Sequence, residues 1–321
     1  MHALVTGGSG FIGSTLVKAL LERGDTVTAV DCFTDYYDEG LKRRNLRGTS
    51  ASEGFRLIEA DLTTCDLSPL LDEIDVVYHQ AAQPGVRHSW HDFHVYVERN
   101  ILATQRLLEA ARSKPSVKRL VYASSSSVYG DALAYPVTET TATRPVSPYG
   151  VTKLAAEHLW SLYGTNWGLP TISLRYFTVY GPGQRPDMAI HRLINSALTG
   201  VTFPLFGDGS KIRDFTYVGD VVAANLAAGT SDLPPGEVFN VAGGTSIDMR
   251  GLIALVEEAA GARVLIDQRP EQAGDVQRTG GSIDKAIAAL GWRPAVSVED
   301  GIAAQVQWQK HLLELPSAEL M

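Results

Sequence analysis

Ala3-Leu4-Val5-Thr6-Gly7-Gly8-Ser9-Gly10-Phe11-Ile12-Gly13 runs from a short apolar stretch through a glycine-rich turn into a helical pattern carried by Leu16, Leu20 and Leu21. Strand, turn and helix in that order make a βα unit. Glycines let the chain turn tightly and let backbone N–H groups approach a pyrophosphate, which the helix N-terminus then favours. The spacing is G-x-x-G-x-x-G, at Gly7, Gly10 and Gly13, rather than the commoner G-x-G-x-x-G. A second strand, Thr26-Val27-Thr28-Ala29-Val30, ends in Asp31. That is about 20 residues past the first glycines, where a carboxylate can bind an adenosine ribose diol. Its charge would repel a 2′-phosphate, which favours NAD over NADP. Lys42, Arg43 and Arg44 would reverse that preference if they reached the ribose; they read as a solvated helix face.

Outward from this unit, strands and helices alternate. Segments 3–5, 27–30, 55–60, 76–79, 120–123 and 171–176 read as strands, most of them apolar on both faces, with helices near 11–23, 92–112 and 149–166 between them. Buried parallel strands have that composition. The fold class is α/β, a doubly wound parallel sheet (Rossmann) with a smaller α/β substrate-binding lobe. From Gly181 the character changes, with glycine- and proline-rich loops and helical patterns at 187–199, 219–229, 249–260, 283–290 and 298–314. The expected division is 1–180 plus 215–245 for the dinucleotide-binding domain, and 181–214 plus 246–321 for the lobe. Residues 131–147, rich in Pro and Thr, form the longest expected loop, one able to cover the site.

Tyr149 and Lys153 stand four residues apart, so one helix face carries both. A free phenol has a pKa near ~10. A neighbouring cation favours the phenolate and can bring it toward use as a general base. By itself the pair is a weak signal; beside a dinucleotide turn it proposes proton removal from a substrate hydroxyl.

Composition narrows the rest. The 321 residues are 45% hydrophobic, enough for a full core. A net charge of −8 argues against nucleic acid or an anionic membrane as partner. An anionic substrate would then need a local cluster of cations. Cys32 and Cys65 form no C-x-x-C pair and suggest a reducing cytoplasm with no metal site. The glycine-broken start does not read as a signal peptide, and no apolar run approaches the roughly 18 residues of a membrane span.

Together these motifs resemble the extended short-chain dehydrogenase/reductase family, the NAD-dependent nucleotide-sugar epimerases and dehydratases. The resemblance runs along nearly the whole chain: Asp61-Leu62, His79-Gln80-Ala81-Ala82, Asn100, Ser124-Ser125-Ser126-Ser127-Val128-Tyr129-Gly130, Arg175-Tyr176-Phe177, Tyr180-Gly181-Pro182, Arg213-Asp214-Phe215 and Gly274-Asp275. It implies tightly bound NAD, recycled in each turnover and held by Gly7, Gly10, Phe11, Ile12, Gly13, Asp31, Asp61, Leu62, Gln80, Ala81, Ala82, Asn100, Ser124 and Tyr176, together with Tyr149 and Lys153. It implies Tyr149 as base, Lys153 lowering its pKa, and Ser125 donating or relaying a proton at the same oxygen. It also implies a homodimer, with helices 92–112 and 149–166 pairing.

The serine block discriminates among reactions. Dehydratases of this family resemble S-T-D-E-V-Y-G here, and a hydroxyl cannot replace their acid/base pair. The decarboxylases commonly carry glutamate where Ser127 stands. Thr34-Asp35-Tyr36-Tyr37-Asp38, Ala82-Gln83-Pro84-Gly85-Val86-Arg87 and Tyr180-Gly181-Pro182-Gly183-Gln184-Arg185-Pro186-Asp187-Met188-Ala189 look like the UDP-glucuronate 4-epimerases. Those usually have Asn at the place of Cys32 and Ala at that of Pro84. The implied reaction is oxidation at C4, rotation of the keto sugar and re-reduction. A 4-keto uronate readily loses CO₂, so its carboxylate must be held; Ser126, Ser127, Thr178 and Arg185 are the candidates, arginine offering a planar fork. Arg213 and Arg192 would take the diphosphate and Asp275 the uridine ribose, with Val86 and Arg87 also at the substrate. The alternatives are a 4-epimerase of neutral UDP-hexoses or N-acetylhexosamines, a decarboxylase, and a silent NAD-binding sensor.

Overall fold

The apolar runs become strands because β-branched and aliphatic residues fill both faces of a central sheet: every residue of Val76–His79, Arg119–Ser125 and Thr171–Tyr176 is buried. The computed structural model describes residues 1–49, 51–271 and 276–314. In chain order its strands are β1 His2–Thr6, β2 Thr26–Asp31, β3 Phe55–Glu59, β4 Val76–His79, β5 Arg119–Ser125, β6 Thr171–Tyr176, β7 Thr178–Tyr180, β8 Phe203–Phe206, β9 Ile212–Tyr217, β10 Glu237–Val241, β11 Ser246–Asp248 and β12 Ile266–Arg269. The α-helices are α1 Phe11–Glu22, α2 Glu39–Asn45, α3 Phe93–Tyr96, α4 Ala103–Arg112, α5 Pro148–Trp167, α6 Ala189–Thr199, α7 Val218–Thr230, α8 Met249–Ala260, α9 Asp284–Leu290 and α10 Val298–Glu314.

Seven strands form one parallel sheet in the order β3-β2-β1-β4-β5-β6-β10. The order reverses between β1 and β4, and ligands gather at such a switch point, beyond the carboxyl ends of the strands. Helices α1 and α7 cover one face through Leu16, Val17, Val221 and Ala224. Helices α4 and α5 cover the other through Leu107, Leu108, Ala156 and Trp160. The segment expected to return to the sheet supplies β10, a strand that alternation alone did not mark.

The helix expected over 92–112 is interrupted by a π-helical stretch, Val97–Leu102, between α3 and α4. Such stretches often mark functional positions; this one turns Asn100 into the core.

The smaller lobe has a three-stranded sheet ordered β11-β9-β7 and a β8–β12 pair. Helices α6, α8 and α10 close over a core that includes Leu193, Leu252, Val256, Ile302 and Val306. The chain crosses between lobes more often than the sequence division suggests. Strand β7 pairs inside the small sheet, whereas Ala286 and Trp292 pack into the core of the large one. The 131–147 loop is stitched to the lobe at Val137, whose N–H donates to Gly280 O at 2.8 Å and whose carbonyl accepts from Ser282 N at 2.8 Å.

Candidate active site

The glycine turn leaves room that only backbone can occupy. Gly7 has φ +67°, and its N–H donates to Val30 O at 2.7 Å, tying the turn to β2. A β-carbon there would stand 2.8 Å from the backbone of Ala81, and one on Gly13 would lie 2.1 Å from Gly7 O. The first turn of α1 therefore lies flat on the loop, as a diphosphate cradle requires. At the rim, Asp31 Oδ2 accepts from Ser9 N and Oδ1 from Phe33 N, both at 3.0 Å. Each carboxylate oxygen keeps a further lone pair for a ribose hydroxyl. The cradle and the diol acceptor fit a dinucleotide.

One continuous groove takes in Gly7, Gly10, Phe11, Ile12, Gly13 and Asp31, then Asp61, Leu62, Gln80, Ala81, Ala82, Ser124 and Tyr176, and ends at Tyr149, Lys153 and Arg185. Asn100 is absent from that lining. It is buried, takes Gln83 N–H at 2.7 Å, and donates to Gln83 O and Thr152 Oγ1 at 3.2 and 3.0 Å. These bonds tie Gln83 to Thr152 of α5.

Thr34, Tyr36, Tyr37 and Gln83, quoted above only for the family resemblance, and Lys42, read as a solvated helix face, also line the groove, as does Arg99, which sequence reasoning passed over. Thr34, Tyr36 and Tyr37 directly follow Asp31, so they leave the sheet at its ligand end; that proximity was the available signal. Lys42 corrects an expectation. Only 5% exposed, it donates from Nζ to the carbonyl and hydroxyl of Thr34 instead of facing solvent. Burial lowers its pKa, while Asp31 raises it. Arg43 does lie outside, paired with Glu39 and Glu59.

Tyr149 enters the site from the first turn of α5. Ser147 caps that turn, its hydroxyl accepting from Gly150 N at 3.1 Å, and Pro148 occupies a position where a missing N–H costs nothing. Tyr149 N–H donates to Ser89 Oγ at 3.1 Å, fixing the 85–90 segment to the helix start. Burial raises the phenol pKa above its ordinary value, while a hydrogen bond with Ser125 and the charge of Arg185 pull it down. Lys153 lies deeper, 2% exposed, with Nζ 4.4 Å from the centre of the Tyr122 ring. Burial brings its pKa down to about 7, against the pull of Glu157. Arg185 thus joins the Tyr149–Lys153 pair as a cation that favours the phenolate.

Behind the groove, Glu157 lies one turn beyond Lys153 and takes Ser124 Oγ at 2.6 Å and Arg175 at 2.6 and 2.9 Å. Arg175 reaches on to the Tyr129 hydroxyl at 2.7 Å, which donates to Asn240 Oδ1 at 2.6 Å. The cluster is a buried ion pair whose polar neighbours are themselves bonded.

A second cavity opens beside the first. Val86, Arg87, Thr178, Arg192 and Arg213 line it, as do Phe206 and Lys211, which sequence reasoning had not singled out. Arg87 stacks 4.4 Å from the Phe206 ring, and Arg192 lies 5.8 Å from that of Phe203. Arg213 also donates to Val276 O at 2.7 Å. Ser126 and Ser127 face a smaller recess shared with Val86, Arg87, Thr178 and Arg213. Ser125, at the end of β5, takes Ser127 N–H at 3.1 Å and sits between this recess and Tyr149. Asp275 lies outside the described residues. Four cations around one cavity supply the local positive charge that an acidic chain needs for a diphosphate.

Known proteins resemble this chain along nearly its whole length. The Bacillus subtilis (strain 168) protein YtcB, an uncharacterized UDP-glucose epimerase, is 41% identical over 316 residues, covering 98% of this chain and 99% of that one. The UDP-glucuronate 4-epimerase of Thermodesulfobacterium geofontis (strain OPF15) is 38% identical over 319 residues, 98% of each chain. The crystal structure of UDP-glucuronic acid 4-epimerase from Bacillus cereus, in complex with UDP-glucuronic acid and NAD, superposes with a TM-score of 0.93 at 42% identity, over 97% of this chain and all of that one. Residues 3–242 match the NAD dependent epimerase/dehydratase family. With its glycine turn, Asp31 and the Tyr149–Lys153 helix in one groove, the chain belongs to that family.

Proposed function

We propose that the chain interconverts UDP-glucuronate and UDP-galacturonate through a 4-keto sugar, with NAD retained between turnovers. The observation that carries this reading is that the groove holding Tyr149, Lys153 and Arg185 adjoins, through Tyr36, the cavity bearing Arg87, Arg192, Lys211 and Arg213. NAD, when bound, supplies a hydride acceptor at C4 and returns the hydride to the opposite face of the rotated sugar.

The chain's own residues do the rest. Tyr149 takes the proton of the C4 hydroxyl and later gives it back, a transfer that general-base catalysis accelerates by roughly 10²–10⁴-fold. Ser125 donates to the same oxygen and keeps the phenol aimed. Lys153 adds charge from below, at the nicotinamide ribose. Arg213 and Arg192 hold the diphosphate in the second cavity and leave the sugar free to turn; Val86 and Arg87 border its path. Arg185 and the hydroxyls of Ser126, Ser127 and Thr178 grip the carboxylate, keeping the C5–C6 bond out of line with the C4 carbonyl. Asp275 is assigned to the uridine ribose.

The lobe comprising 181–214 and 246–321 is the sugar-nucleotide side of this reading, and 1–180 with 215–245 the NAD side. We assign a homodimer pairing α3–α4 and α5, a face where Trp90, Phe93, Leu102 and Val151 are exposed. No helix among the described residues is long and apolar enough to cross a membrane. Cys32 and Cys65 are free thiols, which agrees with a cytoplasmic location.

The test is product analysis with purified protein and UDP-glucuronate, and UDP-glucose in parallel. UDP-galacturonate formed without added NAD supports the reading. No conversion of UDP-glucuronate, or loss of 44 mass units as the main outcome, rejects it. A neutral-hexose 4-epimerase, the second reading, draws support from the Bacillus subtilis relative, and preferential turnover of UDP-glucose would establish it.

A further inference from the structure

Arg185, Asp187 and Tyr36 meet where the two cavities join: Arg185 lines the cofactor groove, Asp187 the second cavity, and Tyr36 both. Asp187 takes the side of the guanidinium, with Nε to Oδ1 and Nη2 to Oδ2 both at 3.0 Å. A guanidinium has five N–H hydrogens in a rigid fork. The side-on pair uses two, and among the described residues no other group takes a hydrogen from Arg185. Both Nη1 hydrogens and the second on Nη2 remain, which is the end-on edge that binds a carboxylate bidentately.

Asp187 is itself held. Tyr36 OH donates to its Oδ2 at 3.4 Å, and the Tyr36 ring lies 5.9 Å from the Arg185 guanidinium carbon. The Tyr36 hydroxyl sits close against Gly85, where a β-carbon would stand 2.2 Å from it. Pro186 separates acid from base, and Met188 N–H returns to Arg185 O at 3.2 Å, closing the turn that carries both.

We propose that Asp187 is a positioning residue: it fixes the side edge of Arg185 so that the end-on edge is presented to the carboxylate of the sugar. This rests on the reading of UDP-glucuronate as substrate. The guanidinium then locks the carboxylate plane, and epimerisation proceeds without cleavage. A guanidinium free to swing would let the C5–C6 bond align with the C4 carbonyl. That bond would break, its electron pair passing to the carbonyl oxygen as an enolate; CO₂ would leave, and a proton would add at C5 to give a 4-keto pentose. The opposing idea, that Asp187 merely neutralises Arg185, predicts tighter substrate binding on its removal.

The full-length enzyme with its NAD, and its D187A and D187E variants, would be given UDP-glucuronate and UDP-glucose, with products resolved by mass and bound NAD and thermal melting recorded. For D187A, roughly tenfold increases in both KM for UDP-glucuronate and the decarboxylated fraction are expected. KM for UDP-glucose should move little, and D187E should recover part of the product partition. An unchanged partition in a folded, NAD-loaded D187A, or a lower KM for UDP-glucuronate, overturns the role of Asp187. If D187A does not fold, D187E decides: a wild-type partition and KM overturn the proposal, and an intermediate leak supports it. A wild type inactive on UDP-glucuronate overturns the substrate reading and this inference with it, a result distinct from an active wild type with an indifferent Asp187.

Discussion

Gly150 backs directly onto Ser127: a β-carbon on Gly150 would stand 2.6 Å from the Ser127 carbonyl oxygen. The residue next to the proposed base is therefore pressed against the serine turn that carries its partner Ser125. Gly150→Ala, neutral or better for an isolated helix, must here move α5 or the turn. Turnover should fall by roughly tenfold or more, because a displacement of about 1 Å is costly at a reacting centre. Steady-state kinetics at unchanged NAD content checks this; wild-type turnover would show that the contact relaxes freely.

Tyr149→Phe removes the phenol while its ring can still pack edge-on against Tyr96, 6.3 Å away. Turnover should drop by roughly 10²–10⁴-fold. Bound NAD, read by absorbance after denaturation, should stay stoichiometric. Undiminished turnover would remove Tyr149 as the base.

Glu157→Gln strands the Arg175 guanidinium, whose side chain is 6% exposed. Breaking a buried pair from one side costs about 3–5 kcal/mol, so a clear drop in melting temperature is expected. A second effect goes beyond stability. Lys153 has a pKa of about 7, and Glu157 is what holds it up. Without that charge Lys153 loses its proton at lower pH, so the alkaline fall in kcat should begin earlier than in the wild type. An unmoved pH profile would confine Glu157 to a structural part.

His79 lies fully buried at the end of β4, its ring nitrogens 2.7 Å from Thr6 Oγ1 and 3.0 Å from Thr104 Oγ1, stacked at 9° on Trp160. Burial, then the charge of Lys153, brings its pKa down to about 3. The folded protein keeps the ring neutral, whereas the unfolded chain takes a proton below about 6.5. Stability therefore falls as pH drops from about 6.5 toward 3, by up to roughly 1.4 kcal/mol per pH unit. His79→Gln, which can keep both hydroxyl contacts, should be less stable at pH 7.5 yet less sensitive to acid. Urea denaturation at pH 7.5 and 5 measures the difference; equal slopes would place the acid sensitivity elsewhere.

Much of the large sheet was legible because most of its strands are apolar on both faces and five of them lead into a residue that lines the groove: Gly7, Asp31, Asp61, Ala81, Ser124. Their common location follows from parallel topology. Less legible was whatever depends on side-chain direction. Lys42 sits on a short helix with two arginines, and its identity alone could not tell that it turns inward while Arg43 turns out. The spacing of Tyr149 and Lys153 put them on one face, yet it could not tell that the ammonium packs over the Tyr122 ring. Asn100 came from the family resemblance alone; its bonds to Gln83 and Thr152, made from the π-helical stretch, were not legible in the sequence. Strand β10 was missed because Glu237-Val238-Phe239-Asn240-Val241 has polar residues at both a terminal and an internal position, and Asn240 is buried only through its bonds to Tyr129, Val137 and Ser282.

Trp292 donates from its indole to Asp220 O at 2.9 Å, and the carboxylate of Asp220 accepts from Ala295 and Val296 N–H. These late residues complete the hydrophobic interior beneath α7, fifty positions beyond Ala242, where the family match ends. A fragment cut at that point would keep every motif of the dinucleotide half and still lack its floor. The family-matched stretch therefore depends for its packing on residues that follow it.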